Sequence, residues 1–191
     1  CLHTIKVLDL PYGKMRDKGV PIDNVSNFDS KKEQLVYVES LNQIKQSRML
    51  FATAFGMVKL VEGSEFEVSK RTTTATKLAE GDKVVFVQPA DEMEYVVLQT
   101  KEGYFLRFMK TEVPLKKKAA LGVRGITLGA KDEVEHAYLL ENRTDYTADY
   151  KGKSVSLNRL KLAKRDGKGT GGSFIQQMAE VCEDAYGRGI A

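Results

Sequence analysis

The sequence is poor in the residues that several common chemistries need. Its 191 residues include no tryptophan, four prolines, two histidines and two cysteines. The cysteines, Cys1 and Cys182, stand at opposite ends and form no CxxC pair. This argues against a disulfide framework or a zinc site, and a reducing cytoplasm is the compartment expected. His3 and His136 are far apart in the chain, so each reads as a surface or strand residue rather than a ligand or base. No run of about 18 apolar residues exists, which argues against a membrane-spanning helix. The longest apolar stretches, such as Met49 to Phe55, are short and broken by Thr53. The N-terminus has no charged segment leading into an apolar one, so no signal peptide is expected. The chain opens on Cys1 rather than Met, inside an apparent strand, and reads as a piece of a longer protein.

What is present points to a packed β protein. Hydrophobic residues make up 42% and charged residues 29%, a globular rather than a disordered balance. The segment Phe51 to Leu60 reads as strand, glycine turn, strand, and Val97 to Leu106 repeats it. Their turn glycines, Gly56 and Gly103, are 47 residues apart, and Gly152 in Asp149 to Leu157 follows 49 residues later. Glycine supplies the positive φ that such turns need.

After each hairpin comes a charged connector (Glu65 to Arg71, then Glu112 to Lys118) and a short third strand, expected at Thr76–Leu78 and Gly125–Leu128. An acidic turn then leads to a fourth strand, over Gly81–Val87 and Lys131–Tyr138. The N-terminal part fits the same frame without its first strand. Leu2–Leu10 takes the second position, Gly19–Ile22 the third and Gln34–Val38 the fourth. Four short strands recurring at this period predict an all-β, propeller-like architecture of three to four blades. The blades are expected over about 1–44, 45–92, 93–138 and 139–168. From Gly169 onward a glycine-rich linker and tail are expected over 169–191. Phe174, Ile175, Met178, Val181, Cys182, Ala185 and Tyr186 there fall at the spacing of a short amphipathic helix; a disordered end or vector-derived sequence are the alternatives.

The formal net charge of +4, from 30 basic and 26 acidic residues, hides a strong asymmetry. The windows 14–18, 110–124 and 151–168 carry +2, +4 and +6, so the rest of the chain carries −8. The basic residues concerned are Lys14, Arg16 and Lys18; Lys110, Lys116, Lys117, Lys118 and Arg124; and Arg159, Lys161, Lys164 and Arg165, with Lys59, Lys70, Arg71 and Lys77 thinner but similarly placed. Equivalent positions in successive blades lie around one rim, so these residues predict a curved positive track. Such a track suits the regular phosphate line of a duplex, through many weak contacts and counterion release. Phe105, Phe108 and Tyr104 lie on strands and offer no stacking platform for single strands.

Several motifs in order resemble one known family. Lys6 to Ile22 resembles a blade of the C-terminal domain of the A subunit of bacterial DNA gyrase and topoisomerase IV. Phe51-Ala-Thr-Ala-Phe-Gly-Met-Val-Lys59 is similar to the family's Phe-x-Thr-x-x-Gly-x-Val-Lys hairpin, and Leu121-Gly-Val-Arg-Gly-Ile126 to its Gly-Val-Arg-Gly-Ile stretch. The resemblance covers about residues 1–168. It implies a β-pinwheel, a disc of four-stranded blades that exchange strands with their neighbours. It also implies a noncatalytic domain that bends duplex DNA around its basic perimeter and presents a transfer segment to a catalytic core. The partners implied are double-stranded DNA, the ATPase B subunit, and the rest of the A subunit. The implied setting is the cytoplasm at the nucleoid, with no membrane. The Gln-Arg-Arg-Gly-Gly-Lys-Gly box of gyrase A subunits has no match: Lys116-Lys-Lys118 with Gly122 lacks the double glycine. Either the box belongs to a preceding blade or the parent is of the topoisomerase IV kind.

No catalytic or metal-ligating residue is assigned and no cofactor is expected. The acidic residues Glu80 and Asp82, and Asp132 and Glu133, recur at a turn, which favours a turn-forming role over acid–base or metal chemistry. The reading from another class is a bladed scaffold whose basic loops bind an acidic protein partner.

Overall fold

In the computed structural model, which describes residues 1–172 and 175, two four-stranded antiparallel sheets form the centre of the molecule. In chain order the elements are β1 (Leu2–His3), α1 (Leu41–Lys45), β2 (Arg48–Thr53), β3 (Met57–Glu62), β4 (Thr72–Thr73), β5 (Val84–Pro89), β6 (Tyr95–Thr100), β7 (Tyr104–Met109), β8 (Val123–Arg124), β9 (Val134–Leu140), β10 (Thr147–Tyr150), β11 (Lys153–Ser156) and β12 (Thr170–Gly171). One sheet has the order β5-β2-β3-β8 and the next β9-β6-β7-β12. The hairpin β2–β3 closes at Gly56 and the hairpin β6–β7 at Gly103, with φ of 76° and 87°. A side chain at either position would be strained.

Each sheet is completed by its neighbour's chain segment. The two-residue strand β8 belongs to the repeat of β6 and β7, yet it pairs with β3. In the same way β4 pairs with β1, and β12 with β7. This strand exchange is the pinwheel arrangement. The glycine-rich stretch expected as a linker therefore begins with a strand. Gly169 reaches it with φ of 76°, and a Cβ there would lie 2.8 Å from the Phe105 carbonyl oxygen. The tail helix expected over 174–186 lies outside the described residues, apart from Ile175, which packs against the hairpin β10–β11.

Alternation along each strand sends side chains to opposite faces. Leu50, Leu60, Val96, Leu98, Leu106 and Phe108 form the layer between the two four-stranded sheets. Met49, Phe51, Val61 and Phe66 face the N-terminal blade, while Val97, Phe105 and Leu140 face the β10–β11 hairpin and its Tyr150. Fully burying each such side chain contributes about 1.5–3 kcal/mol.

Four strand expectations are corrected. Gly19–Ile22 and Gln34–Val38 form no strands. In the repeat frame the fourth strand pairs with the first, as β5 does with β2 and β9 with β6. Among the described residues no strand stands in the first position of the N-terminal repeat, so Gln34–Val38 has no ladder to join. The third strands form at Thr72–Thr73 and Val123–Arg124, a few residues before the apolar stretches Thr76–Leu78 and Gly125–Leu128. Only the earlier residues lie along the free edge of the preceding hairpin. Beyond them the chain turns inward, with Gly125 N–H on the Gly56 carbonyl at 2.7 Å and Ile126 buried.

Candidate nucleic-acid interface

The fourth strands β5 and β9 lie close to one another at one edge of their sheets, which makes that edge the hub. The acidic turns anchor it. Asp82 Oδ1 accepts from Phe55 N–H at 2.9 Å and Lys83 N–H at 2.8 Å. Fifty residues on, Asp132 Oδ1 accepts from Glu102 N–H at 3.0 Å and Glu133 N–H at 2.9 Å. Each aspartate ties the start of the fourth strand to its own hairpin turn, a structural use of these carboxylates. The opposite edge of each sheet, the rim, carries the exchanged strands β8 and β12 and the connectors that lead to them.

The rim connectors are built by a repeated clamp. Lys118 N–H donates to Glu65 Oε2 at 2.9 Å, and Lys118 Nζ donates to the Glu65 carbonyl at 2.9 Å. One repeat later, Arg165 N–H donates to Glu112 Oε2 at 2.9 Å and Arg165 Nε to the Glu112 carbonyl at 3.0 Å. Arg165 Nη1 also donates to the Arg124 carbonyl. One repeat earlier, Arg71 pairs with Asp9 at 3.2 Å. Arg71, Lys118 and Arg165 follow one another at 47-residue intervals and each binds the turn of the preceding blade. The Lys118 N–H holds the Glu65 carboxyl below its usual range, with Lys117 adding to the effect.

The residue just before each clamp points outward. Lys70, Lys117 and Lys164 are all exposed, at the same 47-residue interval. Lys117 lies 3.3 Å from Glu65 but keeps 83% of its side chain exposed. Of the remaining sequence-predicted residues, Lys14, Arg16, Lys18, Lys77, Arg124, Arg159 and Lys161 are exposed and Lys116 is half-buried. Arg124 lies 3.4 Å from Asp166. Lys110 departs from the expectation of a phosphate ligand. Its Nζ donates to the Ala90 and Asp91 carbonyls at 2.5 and 2.8 Å, and burial, with nearby Arg48, lowers its pKa.

Lys59, expected beside Lys70, Arg71 and Lys77 as a basic residue of the rim, lies inside the blade instead. It is 2% exposed, and its Nζ donates to the carbonyls of Lys117, Lys118 and Ala120 at 3.2, 2.8 and 2.7 Å. Burial pushes its pKa down to about 8, against the attraction of Glu65. The available signal was its place in the strand pattern, at an inward position opposite Phe51. In the N-terminal blade, donor atoms of Cys1, His3 and Glu33 lie within 4.8 Å of one another, an approach their spacing in sequence hid. The His3 ring is already engaged there, with Glu33 at 3.0 Å and the Thr72 hydroxyl at 3.3 Å.

A bladed fold with a basic rim defines a class, and comparison with known proteins places the chain within it. Residues 48–91 and 94–141 match the family described as "DNA gyrase C-terminal domain, beta-propeller". Over those two repeats the chain belongs to that family. The DNA gyrase A subunit of Lawsonia intracellularis is 31% identical over 176 residues, covering 88% of this chain and 21% of that protein. The DNA topoisomerase 4 A subunit of Streptococcus pneumoniae is 31% identical over 153 residues, covering 76% and 18%. The chain thus spans about a fifth of the curated relatives it matches. A solved C-terminal domain of DNA topoisomerase IV superposes with a TM-score of 0.76 at 27% identity, over 86% of this chain and 53% of that one. A DNA gyrase A C-terminal domain superposes with a TM-score of 0.65 at 21% identity, over 82% and 53%, a likeness of fold.

Proposed function

We propose that this chain is a noncatalytic DNA-binding part of a type II DNA topoisomerase A subunit, and that it bends duplex DNA around its basic rim. The observation that carries the reading is the exposed series Lys70, Lys117 and Lys164, one per connector along one edge of successive blades. Three ammonium groups repeated at blade spacing suit a line of phosphates and carry no means of reading bases. Lys14, Arg16, Lys18, Lys77, Lys116, Arg124, Arg159 and Lys161 extend the same rim, while Arg71, Lys118 and Arg165 act chiefly as clamps. Smooth bending of DNA costs a few kcal/mol, on the order of what several such contacts offset. In the parent complex the bent duplex is presented as a transfer segment for supercoiling or decatenation. The protein partners are the ATPase B subunit and the remainder of the A subunit, in the bacterial cytoplasm at the nucleoid.

The test is titration of a duplex longer than about 30 base pairs at several salt concentrations. Affinity falls steeply with salt and shows little sequence preference. Reversal of Lys70, Lys117 and Lys164 to Glu lowers the salt slope by about three, whereas reversal of Lys31 and Lys32 leaves it near the wild-type value. Absence of binding at low salt rejects the reading. Tighter binding to an acidic protein than to DNA favours the scaffold alternative.

A further inference from the structure

The connector that carries Lys116 and Lys117 is held from two sides. Glu65 grips it from the preceding blade through the Lys118 N–H at 2.9 Å. From beneath, the buried Lys59 ammonium gathers three of its carbonyls within 3.2 Å. The backbone closes over that ammonium, with Ala120 N–H on the Lys117 carbonyl at 3.0 Å and Lys116 N–H on the Leu60 carbonyl at 2.8 Å. A buried ammonium has three donors, and here three carbonyls satisfy them. Every one of these carbonyls is drawn inward, so the connector bulges and the Lys117 side chain stands clear, 83% exposed. At the equivalent position of the next repeat, opposite Leu98 as Lys59 is opposite Phe51, stands Leu106.

We infer that Lys59 is a positioning residue for duplex binding: from inside the blade it fixes the shape of the 116–121 connector and so sets where Lys116 and Lys117 meet the phosphate line. The inference rests on the DNA-binding reading above. Lys59 contributes no charge to the surface itself, being 2% exposed. Its effect on binding is therefore conformational. Without the cage, the connector samples more shapes, and ordering it against a duplex costs entropy that the native connector has already lost.

The experiment uses the 191-residue chain with Lys59→Leu, the residue that the next repeat carries, and Lys59→Arg, which keeps a charged donor. Amide hydrogen exchange and duplex titration are read on each. Lys59→Leu is expected to raise exchange of the Lys118 and Ala120 amides about tenfold relative to those of β6. It is also expected to weaken duplex binding severalfold, and Lys59→Arg to recover most of both effects. In the Lys59→Leu background, Lys117→Glu then weakens binding by less than it does alone. A folded Lys59→Leu chain with native exchange and native affinity overturns the inference, as does full additivity with Lys117→Glu. If Lys59→Leu does not fold, the same readings on Lys59→Arg decide: native-like exchange and affinity support the inference, and a loose connector with unchanged affinity overturns it. If the wild-type chain binds no duplex, the DNA-binding reading fails and this inference with it, whereas a failure of the inference alone leaves wild-type binding intact.

Discussion

The connector over 113–124 and the connector over 160–171 leave their hairpins in the same way and are clamped by the same kind of residue. Glu65 holds Lys118 and Glu112 holds Arg165, through matching backbone and side-chain hydrogen bonds. Beneath them the two differ. The first closes over the Lys59 ammonium, and the second closes over Leu106. Gly167 lies there, where an added Cβ would sit 3.3 Å from the Leu106 side chain, and Asp166 adopts a φ of 73°. A repeat can thus keep its clamp and its strand exchange while exchanging an ion-and-carbonyl centre for an apolar one. The clamp is the architectural element, and the centre is free to be tuned.

The largest expected effect comes from forcing the second connector to resemble the first. Leu106→Lys buries a charge among Leu98 and Phe108 with no shaped cage to receive it, and costs roughly 3 kcal/mol or more. Denaturant unfolding measures this; a variant as stable as the wild type means that the 164–167 carbonyls already offer the same cage. Next in size is a pH effect. The native Lys59 pKa of about 8 lies below the unfolded value, so the unfolded state holds the extra proton between them. Stability from this group therefore rises with pH from about 8 to about 10.5, by up to about 3 kcal/mol, and is absent below that window. Stability curves of wild type and Lys59→Leu should diverge over that interval and run parallel below it; parallel curves throughout contradict the assignment. The smallest effect concerns the shared clamp. Glu65→Gln and Glu112→Gln each weaken one charge-assisted hydrogen bond and are expected to cost about 1 kcal/mol apiece. Markedly unequal losses show that the two clamps are not equivalent after all.

Much of the architecture was legible because it depends on period. Gly56, Gly103 and Gly152 mark turns that all have positive φ, and the alternating strands around the first two fall where the spacing predicted. Less legible was everything that depends on a partner. Gln34–Val38 has strand composition, but a strand exists only as part of a ladder. Thr170–Gly171 has the composition of a break, yet it pairs with β7 because that edge is open to it. The basic residues divide the same way. Their clustering was visible, whereas their division into exposed lysines, interblade clamps, the half-buried Lys110 and the buried Lys59 was not, because the neighbouring carboxylates and carbonyls come from other repeats.

The sequence by itself determined the repeat, the glycine turns, the alternation that builds three apolar layers, and the concentration of positive charge on the connectors. These follow from local geometry and from chemistry that each residue carries alone. Only the tertiary structure decided which strands cross between blades, which cations remain at the surface, and that Lys59 sits inside. Those outcomes depend on desolvation and on hydrogen-bond partners about 50 residues away, and a charge keeps or loses its water according to what folds over it.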